Sequence, residues 1–175
     1  MDDRYYPLDY FRQMRLPYPK LVFCDSTFGL FGLLIRKKTK GMYSHFMIEV
    51  SPGMVASQGF LFRLQDIQDY QHYHLKYVVG IRWSPEARIE ILEEVKKFLK
   101  KPWYRRLYDI IGVLGKAIGL EKLNIPGLNY CSEWGRLIRI ADPEFDLKSP
   151  TPTDINVWTK ARNDRYKVVG RYSPD

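Results

Sequence analysis

Two short segments of this 175-residue chain carry side chains suited to covalent chemistry. Gly41-Met42-Tyr43-Ser44-His45-Phe46-Met47-Ile48-Glu49-Val50 places a histidine at the start of an apolar strand pattern, just after a turn. Asn129-Tyr130-Cys131-Ser132-Glu133-Trp134 places a cysteine after a Pro-Gly break, where an amphipathic helix opens. A thiol at a helix N-terminus meets the positive end of the dipole and unpaired N–H groups, which lower its pKa. The thiolate is the attacking species, and the same amides offer donors to an oxyanion. An imidazole beside it can hold the thiolate as an ion pair and later protonate the leaving group. Cys131 and His45 are therefore a candidate nucleophile and base. Both residue types are also common in plain packing, and spacing alone does not bring 45 and 131 together.

The elements that would position them read as one α+β domain over residues 1–175, with 1–20 an extended lead-in rich in Tyr, Pro and Arg. Strand signals follow at Leu21 to Phe23, Phe28 to Ile35, Ser44 to Val50 and Lys76 to Trp83. Ser51-Pro52-Gly53-Met54 makes a turn, and Val55 to Phe62 returns as the partner strand. The period becomes helical at Ser84-Pro85-Glu86, with Ile89, Leu92, Val95 and Leu99 on one face. Leu107, Ile110, Ile111, Leu114 and Ile118 line a second helix, and Asn124-Ile125-Pro126-Gly127 ends it. Trp134, Leu137, Ile138 and Ala141 mark a third helix. The chain closes with a loop, a short helical turn and a strand from Tyr166 to Tyr172.

Tyr43-Ser44-His45 before an apolar strand, with Tyr130-Cys131-Ser132-Glu133 much later, resembles the circularly permuted papain-like (NlpC/P60) cysteine hydrolases of the YiiX and YaeF kind. Phe23-Cys24-Asp25 is similar to that family's early strand, Met54-Val55-Ala56-Ser57 to the strand after the histidine, and Thr151-Pro152-Thr153-Asp154-Ile155 to its late segment. The resemblance spans about residues 21 to 156. It implies a small antiparallel β-barrel or bent sheet packed on helices, including the nucleophile helix. It also implies cleavage of an amide or ester through an acyl-enzyme on Cys131, with His45 as base; an amide or isopeptide bond is the expected substrate, and no cofactor is expected. Related families orient the imidazole with a third polar residue on the next strand, where this chain has Val55-Ala56-Ser57-Gln58 and no acid. If Val50 pairs with Val55, Gln58 is diagonal to His45 on the same face and becomes the expected orienter, with Glu49 the alternative. Tyr43 and Tyr130 are candidates for a hydroxyl beside the oxyanion or substrate.

Composition limits the alternatives. At 45% hydrophobic and 27% charged residues the chain is that of a folded protein. No apolar run approaches the roughly 18 residues that cross a bilayer. The N-terminal twenty residues lack the apolar core of a signal peptide, so a cytoplasmic location is expected, with no disulfide between Cys24 and Cys131. Cys24 reads as a packed thiol. His72 and His74 form an H-x-H pair, with no further ligand cluster to make a metal site. The net charge of +8 comes without RNP, zinc-finger or helix-turn-helix spacing, so nucleic acid is not the expected partner. Residues 96–106, Lys-Lys-Phe-Leu-Lys-Lys-Pro-Trp-Tyr-Arg-Arg, are a basic and aromatic run suited to an anionic lipid surface or to a solvated helix end. Three function classes follow: a thiol hydrolase on peptide, isopeptide or cell-wall substrates; a lipid thioesterase or acyltransferase on the same fold; or a silent binding protein.

Overall fold

The computed structural model describes residues 4–25, 37, 42–107, 109, 131–148 and 150–174, without the side chains of 131–133. Among the described residues, six strands form one open antiparallel sheet: β1 (Lys20–Cys24), β2 (His45–Ser51), β3 (Met54–Gln58), β4 (Phe62–Asp66), β5 (Leu75–Gly80) and β6 (Tyr166–Tyr172). Their order is β4-β3-β2-β1-β5-β6, so β1 and β2, the strands that flank the histidine segment, lie at the centre. The class is α+β. The expected return strand over residues 55–62 is instead two strands, because the chain turns at Gly59-Phe60 and comes back as β4.

Alternation along the central strands separates two cores. Leu21, Phe23, Phe46, Ile48 and Ala56 point to one face, which is covered by helices. Helix α2 (Pro85–Leu99) begins where Ser84 Oγ accepts the Ala87 N–H at 3.1 Å, with Pro85 at the first position. It buries Ile91, Val95 and Phe98, which are spaced four and three residues apart and so share one side of the helix. A 3-10 helix (Cys131–Leu137) runs into α3 (Ile138–Ala141) and packs against β2 through Trp134, Leu137 and Ile138. Gly135 allows that approach, since a Cβ there would come within 2.5 Å of Ile155 Cδ1. The closing helix α4 (Pro152–Ala161) is longer than the single turn expected. Its capping box explains why: Thr151 Oγ1 accepts the Asp154 N–H at 3.1 Å while Asp154 Oδ2 accepts the Thr151 N–H at 2.7 Å.

The opposite face carries Val22, Cys24, Met47, Val55, Tyr77 and Val79. Here the lead-in is not wholly extended. Leu8–Gln13 forms helix α1, which buries Leu8 and stacks Phe11 on Tyr77 at 3.9 Å between ring centroids. The same face buries an ion pair: Lys20 Nζ lies 3.0 Å from Glu49 Oε2, and both side chains are 0% exposed. The predicted second helix over 107–118 lies almost wholly outside the described residues, as does the apolar run 28–35. Among the described residues, no helix is long and apolar enough to cross a membrane.

Candidate functional site

Val50 sets the geometry around His45. In the β2–β3 hairpin, Ser51 pairs with Met54 across a Pro52-Gly53 turn in which Gly53 takes φ +71°, a left-handed conformation suited to glycine. The next pair is Glu49 with Val55, so Val50 is the extra residue of a β-bulge. That one residue moves every later pair by one and exchanges the faces of β3 relative to a regular hairpin. Ser57, paired with Met47, therefore shares the face of His45, and Gln58 turns to the other. The expectation that Gln58 orients the imidazole is corrected accordingly. Gln58 Nε2 donates to Arg106 O at 2.9 Å, and its Oε1 accepts from Trp134 Nε1 at 3.4 Å, in the helix-side core. Glu49 keeps the face of His45 but is committed elsewhere, to Lys20 and to the Gly53 N–H at 2.9 Å.

The imidazole is held instead by a buried chain of hydroxyls. His45 Nε2 lies 2.8 Å from Ser57 Oγ, Ser57 Oγ lies 2.6 Å from the Tyr70 hydroxyl, and Tyr70 donates to Gln65 Oε1 at 3.0 Å. Counting protons fixes the direction. An amide oxygen only accepts, so the single proton of Tyr70 is used on Gln65. Ser57 must then donate to Tyr70, and its oxygen is left to accept from His45 Nε2–H. The neutral ring is thereby the Nε2–H tautomer, with its lone pair on Nδ1, the nitrogen a base would use. The Tyr70 ring lies parallel to the imidazole at 6.2 Å. Burial pushes the Tyr70 hydroxyl well above its ordinary pKa, which keeps it a donor. Burial also pushes His45 down to about 4, so the ring is neutral at pH 7 and no imidazolium rests there.

Other pieces of the sequence pattern converge nearby. Thr153, in the late Thr-Pro-Thr-Asp segment, donates its hydroxyl to Tyr43 O at 3.2 Å and so ties the start of α4 to the approach of β2. Tyr43 itself is buried on the helix side, its ring 5.8 Å from that of Phe23. Tyr130 and the Cys131 side chain lie outside the described residues. The backbone of Cys131 lies in the 3-10 helix that packs on β2. The packing residues of that helix lie on the sheet face opposite to His45, which is the first residue of its strand. Cys24 is the direct cross-strand partner of His45 on the same face, and at 0% exposure it is closed to any substrate. His72 and His74 sit in the turn before β5.

Sequence reasoning missed Ser57, Tyr70 and Gln65. Ser57 was within reach of it, since only the Val50 bulge separates its face from that of Gln58. Tyr70 and Gln65 carry no motif and become visible only once β4 folds back on β3. No family model matches the chain, and no curated protein matches it.

Proposed function

We propose that the protein is a thiol hydrolase of the permuted papain-like kind, cleaving an amide or isopeptide bond with Cys131 as nucleophile and His45 as base. The observation that carries this reading is the buried hydrogen-bonded chain from His45 Nε2 through Ser57 and Tyr70 to Gln65, which fixes the orientation of the imidazole and favours its Nε2–H tautomer. Two features support it: the 3-10 helix Cys131–Leu137 is seated on the strand that begins at His45, and Thr153 anchors the chain just before that strand. Because the helix packs on the far face, the proposed encounter takes place around the N-terminal end of β2, where His45 is the first residue.

In the proposed reaction the Cys131 sulfur attacks the carbonyl carbon while its proton passes to His45 Nδ1. The imidazolium is transient, and Ser57 accepts its Nε2–H throughout. The Nδ1 proton then moves to the leaving nitrogen, the C–N bond breaks, and a thioester remains on Cys131. Water attacks the thioester, gives its proton to Nδ1, and the thiol is restored as the acid departs. With no carboxylate in the relay, the cation is stabilised less than in an acid-assisted triad, so modest turnover is expected.

Peptide and acyl-ester panels assayed alongside intact-protein mass spectrometry test the proposal. The expected result is a covalent acyl adduct on Cys131 that is lost in Cys131→Ala. Turnover that survives Cys131→Ala would overturn the assignment, and faster cleavage of acyl esters than of peptides would move the substrate to the lipid class.

A further inference from the structure

We propose that residues Lys100–Arg105, with Phe60 beside them, dock the protein on an anionic phospholipid surface. All six residues, Lys100-Lys101-Pro102-Trp103-Tyr104-Arg105, are exposed in sequence, following the end of α2. Trp103 is 64% and Tyr104 53% exposed, whereas Trp83, Trp134 and Trp158 are 3–7% exposed. An exposed tryptophan beside an exposed tyrosine is a costly surface in water, and their amphipathic rings suit the headgroup level of a bilayer.

The segment is held outward by its own turn. Arg105 N–H donates to Pro102 O and Arg106 N–H to Trp103 O, both at 3.0 Å, and Arg106 Nη1 reaches Phe62 O at 3.3 Å. Lys101 lies over the buried Phe98 ring at 4.4 Å, which leaves its ammonium at the surface of a fixed helix end. The bridge between Leu61 and Leu107 brings the β3–β4 turn, with Phe60 at 71% exposure, alongside the end of the segment. Lys100, Lys101 and Arg105 supply the charge that complements acidic headgroups, and Lys96 precedes them on α2. The basic side chains draw the protein to the surface and the aromatic ones insert, the combination expected of an interfacial site.

Phosphatidylcholine vesicles with and without phosphatidylserine provide the test, read by sedimentation and by tryptophan emission. Trp103 is the exposed tryptophan of the four, so a blue shift on binding reports on it. Partitioning onto the phosphatidylserine vesicles, weakened by salt and accompanied by the shift, is expected. Each cation near such a surface is worth roughly fivefold, so Lys100→Glu with Lys101→Glu should lower partitioning at least about 25-fold. Trp103→Ser should abolish the shift and weaken binding, and Trp103 is 64% exposed, outside the buried core. Absence of partitioning, or equal partitioning onto phosphatidylcholine alone, overturns the proposal. So does binding that Trp103→Ser leaves intact while heparin competes it away, since that marks a general polyanion site.

Discussion

Acidification offers a direct reading of how His45 is held. The imidazole is 4% exposed, and burial lowers its pKa from 6.5 to about 4. Above pH 6.5 the ring is neutral in both folded and unfolded chains, and its contribution to stability is fully present. Between pH 6.5 and about 4 the unfolded chain binds a proton that the folded one refuses, so stability falls as pH falls and levels off below that window. At about 1.4 kcal/mol for each pH unit, the interval amounts to about 3 kcal/mol. Carboxylates also titrate near its lower end, so the measurement is a comparison with His45→Gln, which cannot titrate. Urea midpoints of both proteins at pH 7.5, 6.0, 5.0 and 4.5 should show the wild-type advantage shrinking by about 2.5 kcal/mol, the part of the interval above pH 4.5. A constant difference across that range refutes the buried neutral ring. A wild-type advantage that grows on acidification refutes it more strongly, because a ring paired with a resting thiolate would hold its proton above pH 6.5.

The remaining expectations follow from the same contacts. Tyr70→Phe removes the acceptor of the Ser57 proton, so Ser57 can turn its hydrogen to Nε2 and move the ring proton to Nδ1; nitrogen-15 NMR of the imidazole should report the change of tautomer. Ser57→Ala should lower kcat on any substrate found by roughly tenfold to a hundredfold, whereas Gln58→Ala should act on thermal stability first, through Trp134 and Arg106. Lys20→Met leaves Glu49 buried without its ammonium and should destabilise the fold by about 3–5 kcal/mol in chemical denaturation.

The sequence made the central strands and the helix after Ser84 legible because period-2 and period-3.6 apolar spacing, a Ser N-cap and a Pro at the first position are local signals. The Ser51-Met54 turn was legible for the same reason, yet its consequence was not. Whether Val50 pairs or bulges depends on how Glu49 is drawn to Lys20 and to the Gly53 amide, and Lys20 is 29 residues away in sequence. The bulge then decided which of Ser57 and Gln58 meets the histidine. Helix α1 was hidden in a Tyr- and Pro-rich lead-in because its stability comes from Phe11 on Tyr77, a tertiary contact rather than a propensity. Cys131 was marked by its residue type and its place after a break, and its backbone lies in the 3-10 helix Cys131–Leu137.

Alkylation of the two cysteines by iodoacetamide, followed by peptide mass mapping, tests the pairing of Cys131 with His45 most directly. Cys131 should be labelled first, Cys24 should stay protected in its fully buried position, and His45→Gln should slow the labelling of Cys131 about tenfold by removing the base at Nδ1. Labelling of Cys24 ahead of Cys131, or an unchanged Cys131 rate in folded His45→Gln, contradicts the account.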